Sequence, residues 1–257
     1  MVRDQFRHEK NSKWKTHIGA MVQFFVLFVY FYRLKIFYLE NLFQEEDHRI
    51  NSGETAIAKF TFYGNYSLNL INPTLFGNNF SCPVLCACGI IFMARTLMCI
   101  YVLLPRSISW DEIITVYVLF LGTIFWSFTN NIELHKNSEP SGQEKLIVIF
   151  GFCIFIGGMV LSVGSEWQRK CLKVPGRLVT EGLWSLSMHI NYFGEFLYYL
   201  GWSMITLEWY NLWVPGVILI GFVWWHIPGL DEYLAERYPK QFPEYAKKTK
   251  KLIPFVY

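Results

Sequence analysis

The apolar residues of this chain are gathered into runs long enough to cross a bilayer, and that grouping excludes most soluble folds before any motif is considered. A helix crosses the hydrocarbon layer with about 20 mostly apolar residues, within a working range of roughly 17–25. Six stretches meet or approach this length: residues 18–39, 83–104, 113–129, 146–164, 190–207 and 212–227. The third and sixth stand near the short end. The first carries Arg33 and Lys35 in its last third, where long cationic side chains can snorkel to the interface. Charged residues are 17% of the chain, against about 25% in an ordinary soluble domain, and the shortfall lies in these runs. The expectation is an all-α, polytopic membrane helical bundle of about six transmembrane helices. Trp184, Trp202, Trp209, Trp213, Trp224 and Trp225 stand at or near the ends of the last two runs, the placement of an interfacial aromatic belt.

Charge placement fits six spans. Both termini then share one side with the loops at 105–112 and 165–189, and that side collects most of the Lys and Arg, among them Arg169, Lys170, Lys173, Arg177, Lys247 and Lys248. The positive-inside rule puts both termini on the cytosolic or matrix side, in the endoplasmic reticulum or the mitochondrial inner membrane. The net charge of +3 follows from these basic ends and gives no reason to expect nucleic acid. Arg33 and Lys35 after the first apolar stretch, with no small-residue cleavage site, argue against a removed signal. The cysteines at 82, 86 and 88 lack the two-residue spacing of zinc knuckles and read as small apolar packing residues. No metal site is expected.

The chain divides into a basic arm (1–16), an N-terminal transmembrane part (17–145) with a long connection at 40–82, and a C-terminal part (146–257). A polar helical extension follows the fourth run and ends at a turn at Pro175-Gly176. After the sixth run a short amphipathic helix is expected over 231–238, bounded by Pro228-Gly229 and by Pro239. Three polar pieces, at 166–177, 182–195 and 231–254, thus converge on the basic side, where they can form one cofactor-type pocket. On a helix Asn191 and Glu195 lie one turn apart on one face. Ionisable groups at membrane depth mark a functional site by default. Arg95, near the middle of the second run, requires a carboxylate such as Glu195 or Glu208, or a partner subunit.

These pieces read, in order, Glu166-Trp-Gln168-Arg169, then Gly182-Leu-Trp184 through His189-Ile-Asn191-Tyr192-Phe-Gly194-Glu195, then Glu232, Tyr238, Tyr245 and Ile253-Pro254-Phe255. The set resembles the catalytic half of the membrane steroid 5-alpha-reductase-like and sterol reductase family, and more distantly isoprenylcysteine carboxyl methyltransferase. It covers about residues 160–257; the earlier part shares only the membrane character. The resemblance implies a pocket for NADPH lined by Gln168, Arg169, His189, Asn191, Tyr192, Glu195, Glu232 and Tyr245. It implies no catalytic proton donor by position. No Gly-rich dinucleotide loop is present, so NADPH would be held without a Rossmann fold.

The family's pattern has Arg and Pro on either side of the histidine; Met188 and Ile190 stand there in this chain. An arginine is also missing before Asp231-Glu232, where Gly229-Leu230 precede. Each lost charged hydrogen bond costs roughly 1.5–3 kcal/mol where it is desolvated. The resemblance therefore implies first an NAD(P)H-dependent reductase of a steroid-like or other lipid carbon–carbon double bond, taking an apolar lipid substrate from the surrounding membrane lipids. The rival expectation is a non-catalytic, degenerate reductase-like subunit among other membrane subunits. A third is an S-adenosylmethionine-dependent lipid methyltransferase.

Overall fold

The computed structural model describes residues 81–103, 121–130 and 141–256, together with Met21, Val22, Phe25 and Val29. All regular structure among them is helical. Helix α1 (Ser81–Met98) runs into a π turn (Cys99–Leu103), α2 spans Leu121–Asn130, and α3 spans Gly142–Leu172. A single 3-10 turn (Gly182–Ser185) leads to α4 (Ile190–Ile205). After a second 3-10 turn (Trp209–Leu212), α5 (Trp213–Gly221) passes through a π turn (Phe222–His226) into α6 (Ile227–Arg237). Helix α7 (Gln241–Lys248) completes the order.

Three helical stretches are long and apolar enough to cross a membrane: Pro83–Leu103, Gly142–Leu172 and Trp209–Arg237, of 21, 31 and 29 residues. The chain is therefore an all-α, multi-pass membrane protein, but the expected six spans are three among the described residues. The run at 190–207 folds as α4, with only 16 residues, about 24 Å at 1.5 Å per residue. Its end is built by polar groups. Thr206 Oγ1 donates to the Ser203 carbonyl at 2.6 Å, the fully buried Asn211 donates through Nδ2 to Thr206 Oγ1 at 2.8 Å, and Leu207 takes φ 60°. A residue in the left-handed region after the last helical turn ends the helix and reverses the chain. The run at 18–39 lies largely outside the described residues, as does the first half of the run at 113–129; the basic arm and the connection at 40–82 lie outside them too.

Helix α3 begins with a capping box, Ser141 Oγ accepting from Glu144 N at 3.3 Å while Ser141 N donates to Glu144 Oε2 at 2.7 Å, which satisfies two of the otherwise unpaired first donors. Its 31 residues reach about 46 Å, beyond a hydrocarbon layer of about 30 Å. The polar extension expected after residue 164 is this same helix leaving the apolar layer, and it ends before a turn at Pro175-Gly176 in which Arg177 N donates to the Val174 carbonyl. The amphipathic helix expected to start after Pro228-Gly229 instead begins at Ile227 and continues from α5. Pro228 falls directly after the π turn in this continuous stretch, where its missing N–H removes one bond of the helical ladder.

Helices α3 and α4 pack along a seam of glycines. A Cβ on Gly158 would meet Tyr198 N at 2.4 Å, and one on Gly201 would meet the Gly151 carbonyl oxygen at 2.4 Å. In lipid, where apolar burial between helices gains little, such backbone contact and polar pairing supply the association. Around the seam lies an aromatic core of Phe92, Phe125, Phe155, Tyr198 and Trp202, with Trp202 within 5.5–5.7 Å of three phenylalanine rings. Trp202 is wholly buried and Trp184 nearly so, so these two leave the expected aromatic belt because each faces another helix rather than lipid. Trp209, Trp224 and Trp225 are strongly exposed, as belt residues are. Substituting Gly158 or Gly201 by Ala should cost about 1–3 kcal/mol through overpacking. Gly157→Ala, with nothing within 4 Å of the added carbon, should be neutral; unfolding of the detergent-purified protein would compare them.

Candidate functional site

The polar end of α3 and the loop that follows are held together by the Gly-Leu-Trp motif. Gly182 adopts φ 65°, and a side chain there would collide with Gln168, whose Nε2 lies 1.7 Å from an ideal Cβ position. Only glycine meets both demands. Gln168 then accepts a hydrogen bond from Leu183 N at 2.8 Å through Oε1. Trp184 Nε1 donates to the Ser165 carbonyl at 2.9 Å, and the Arg169 guanidinium lies 5.6 Å from the Trp184 ring centroid. Tyr245, brought up by α7, donates its hydroxyl to the Trp184 carbonyl, and burial pushes its phenol up from the ordinary range. Gln168 and Tyr245 are thus spent on fixing this loop.

The loop delivers Met188, His189 and Ile190 into the protein interior. Residues 250–252 run alongside as a strap: Met188 N donates to the Lys250 carbonyl at 2.8 Å and His189 N to the Lys251 carbonyl at 2.9 Å. Ser187 Oγ lies 2.9 Å and 2.7 Å from the carbonyl oxygens of Lys251 and Leu252. His189 is 0% exposed. Its Nε2 lies 2.9 Å from Asp231 Oδ1, its ring stacks at 5.7 Å on Tyr192, and Tyr192 stacks in turn at 4.4 Å on Phe222. His189 Nδ1 is buried and has no partner among the described residues.

Two residues further, Asn191 Nδ2 donates to Glu166 Oε1 at 3.1 Å, and the other oxygen of that carboxylate takes Arg169. Asn191 Oδ1 is a second buried acceptor without a partner among the described residues. Glu195 is claimed by Arg95, which also donates to Ser162 Oγ at 3.1 Å and lies 5.3 Å from the Tyr198 ring centroid. The carboxylate that Arg95 requires is therefore Glu195 of α4. The side chains of the pair are 15% and 25% exposed, so each neutralises a charge that membrane depth penalises.

Of the eight residues expected to line one pocket, the structure brings His189, Asn191 and Tyr192 together at the start of α4, with Arg169 reached through Glu166. Glu232 is exposed and does not join them; its neighbour Asp231 does. Sequence reading passed over Asp231 although the phase of α6 carries the signal. Ile227 is buried and Leu234 is partly so, and Asp231 stands four residues after the one and three before the other, on the same face. Lys251 is the other missed residue: its Nζ lies 3.2 Å from Asp231 Oδ2, a contact made through long-range folding that no local pattern announces. Met188 sits in a small apolar cluster with Phe242 and Tyr245.

Set beside known proteins, residues 104–251 match the model of a family described as "Protein of unknown function (DUF1295)". That match covers more than half of the chain, which belongs to this family. The relatives add a second level. The chain is 27% identical over 113 residues to 3-oxo-5-alpha-steroid 4-dehydrogenase 2 of Rattus norvegicus, a match covering 42% of each protein. It is 29% identical over 168 residues to the human protein of the same name, 62% of each, and 33% identical over 89 residues to Delta(14)-sterol reductase of Saccharomyces cerevisiae, 32% of this chain and 19% of that one. The chain thus covers less than two thirds of these relatives' lengths.

The Arg95–Glu195 pair makes a sharp prediction. Arg95→Met should destabilise the protein by about 3–5 kcal/mol, because it strands a buried carboxylate. Adding Glu195→Gln should recover part of that loss, and a double-mutant cycle on unfolding in detergent would measure the coupling.

Proposed function

We propose that this chain is a membrane-embedded, NAD(P)H-dependent reductase of a steroid-like or other lipid carbon–carbon double bond. One observation carries the reading. His189 Nδ1 and Asn191 Oδ1 are both buried acceptors without partners among the described residues, two residues apart at the start of α4. Buried acceptors are normally satisfied, and a ligand bearing N–H or O–H donors, as the carboxamide and riboses of NADPH do, fits this pair. The resemblance to the steroid dehydrogenase and sterol reductase relatives supports the same class of chemistry.

In this reading, NADPH when bound supplies a hydride for an electrophilic carbon of the substrate. His189 and Asn191 accept hydrogen bonds and orient the ligand. Tyr192, wedged between the His189 ring and Phe222, fixes the wall of the site. Glu166 holds both Asn191 and Arg169 in register. Lys173, exposed just beyond α3, is positioned for phosphate at the basic rim. The apolar substrate arrives laterally from the membrane, and the site opens to the cytosolic or matrix side.

A second reading, a reductase-like subunit without catalysis, is favoured by the Met188–Phe242–Tyr245 cluster and by Tyr245 being tied to Trp184. These contacts put apolar packing and a structural hydrogen bond where the family resemblance implies cofactor contacts. Thermal unfolding with separate additions of NADPH, NADH and S-adenosylmethionine distinguishes the readings. A ligand at 100 times its dissociation constant stabilises the folded state by about 2.7 kcal/mol. NADPH is expected to raise the melting temperature of the wild type and to do so much less in His189→Ala and Asn191→Ala. A response to S-adenosylmethionine alone would move the chain to lipid methyl transfer, and no response from a folded protein would establish the non-catalytic reading over the reductase.

A further inference from the structure

His189 meets two groups that the family resemblance does not assign to the site, and both come from the far end of the chain. Asp231 on α6 takes the Nε2 edge of the imidazole at 2.9 Å. Lys251 in the strap takes the other Asp231 oxygen at 3.2 Å through Nζ, while its own carbonyl takes the His189 backbone N–H at 2.9 Å. One residue of the strap therefore grips the histidine from both sides, directly through its backbone and indirectly through the carboxylate. The Asp231 side chain is 15% exposed and that of His189 1%, whereas Lys251 is 52% exposed, so the histidine contact is buried and the lysine brace stands at its solvent edge.

We infer that Asp231, braced by Lys251, is a positioning residue that fixes His189 as the tautomer with its proton on Nε2, and so keeps Nδ1 a bare acceptor inside the site. A carboxylate can only accept, so the nitrogen facing it must carry the proton. The second nitrogen of a neutral imidazole is then an acceptor. Stacking on Tyr192 fixes the ring plane, and the Asp231 contact fixes its edge. What the device selects is a ligand group that donates a hydrogen bond at Nδ1. This inference rests on the reductase reading for the identity of the ligand, but not for the tautomer.

The test uses the full chain in detergent, labelled with nitrogen-15 at its six histidines, with the His189 signals assigned by their loss in His189→Gln. Expected is a protonated Nε2 and an unprotonated Nδ1 in the wild type. In Asp231→Asn the carboxamide can donate to Nε2, and the proton should move to Nδ1. NADPH affinity should then fall about tenfold or more, the loss of a single well-formed hydrogen bond. Asp231→Glu should restore the wild-type tautomer and recover affinity, whereas Lys251→Met should leave both tautomers visible. A wild-type His189 with its proton on Nδ1, or an Asp231→Asn variant with unchanged His189 signals, overturns the inference. The expected tautomers in a wild type that does not bind NADPH would support the positioning role and sink the reductase reading. Should Asp231→Asn fail to fold, the Lys251→Met and Asp231→Glu spectra decide the matter, an unaltered His189 in Lys251→Met counting against the brace.

Discussion

The backbone-on-backbone approach of α3 and α4 is the contact on which the remaining arrangement depends. Gly158 and Gly194 face one another so closely that a Cβ on Gly194 would lie 2.5 Å from Ser162 N. That approach sets the height of Asn191 against Glu166 and of Glu195 against Ser162, so the polar pairs at the mouth of the bundle inherit their register from the glycine seam. Between lipid-facing helices there is little apolar gain to be had from contact. Close packing and internally satisfied polar groups must therefore supply the specificity, and this chain uses both on the same helix pair.

That seam also explains how ionisable groups are tolerated so close to the apolar layer. Arg95 of α1 reaches α4 and α3 together through Glu195 and Ser162, and Glu166 serves Asn191 and Arg169. Each charged group is shared between elements, so the network ties helices together as well as neutralising charge. The sharing is incomplete at Arg95 Nε, His189 Nδ1 and Asn191 Oδ1, each unmatched among the described residues.

Much of this was legible in the sequence. The apolar runs at 83–104, 146–164 and 212–227 correspond to the long helices, and the Gly-Leu-Trp and His-x-Asn-Tyr pieces do lie together. Arg95 was readable as half of an ion pair because a lone charge in an apolar run is too costly to stand alone. The failures have specific causes. A hydropathy window cannot see that Thr206, Leu207 and Asn211 stop α4 by side-chain hydrogen bonds and a left-handed residue. Proline was weighed as a helix boundary at 228, although the helix runs through it behind a π turn. Between Asp231 and Glu232, adjacency in sequence hid opposite orientations, and only helical phase separates them. Gln168 and Tyr245 stand in the same motif set, and their hydrogen bonds run to the Gly-Leu-Trp loop.

The strap bears on biogenesis. Ser187 and Lys251 stand 64 residues apart, and α5, α6 and α7 all lie between them. During synthesis, in which earlier segments emerge first, α3 and α4 are free to close their glycine seam while the strap is still within the ribosome. Closure around the imidazole must wait until translation has passed Leu252. A nascent chain stalled after α4 would carry a finished helix pair with its histidine loop still unclasped, so membrane insertion and maturation of the site are separate events in time.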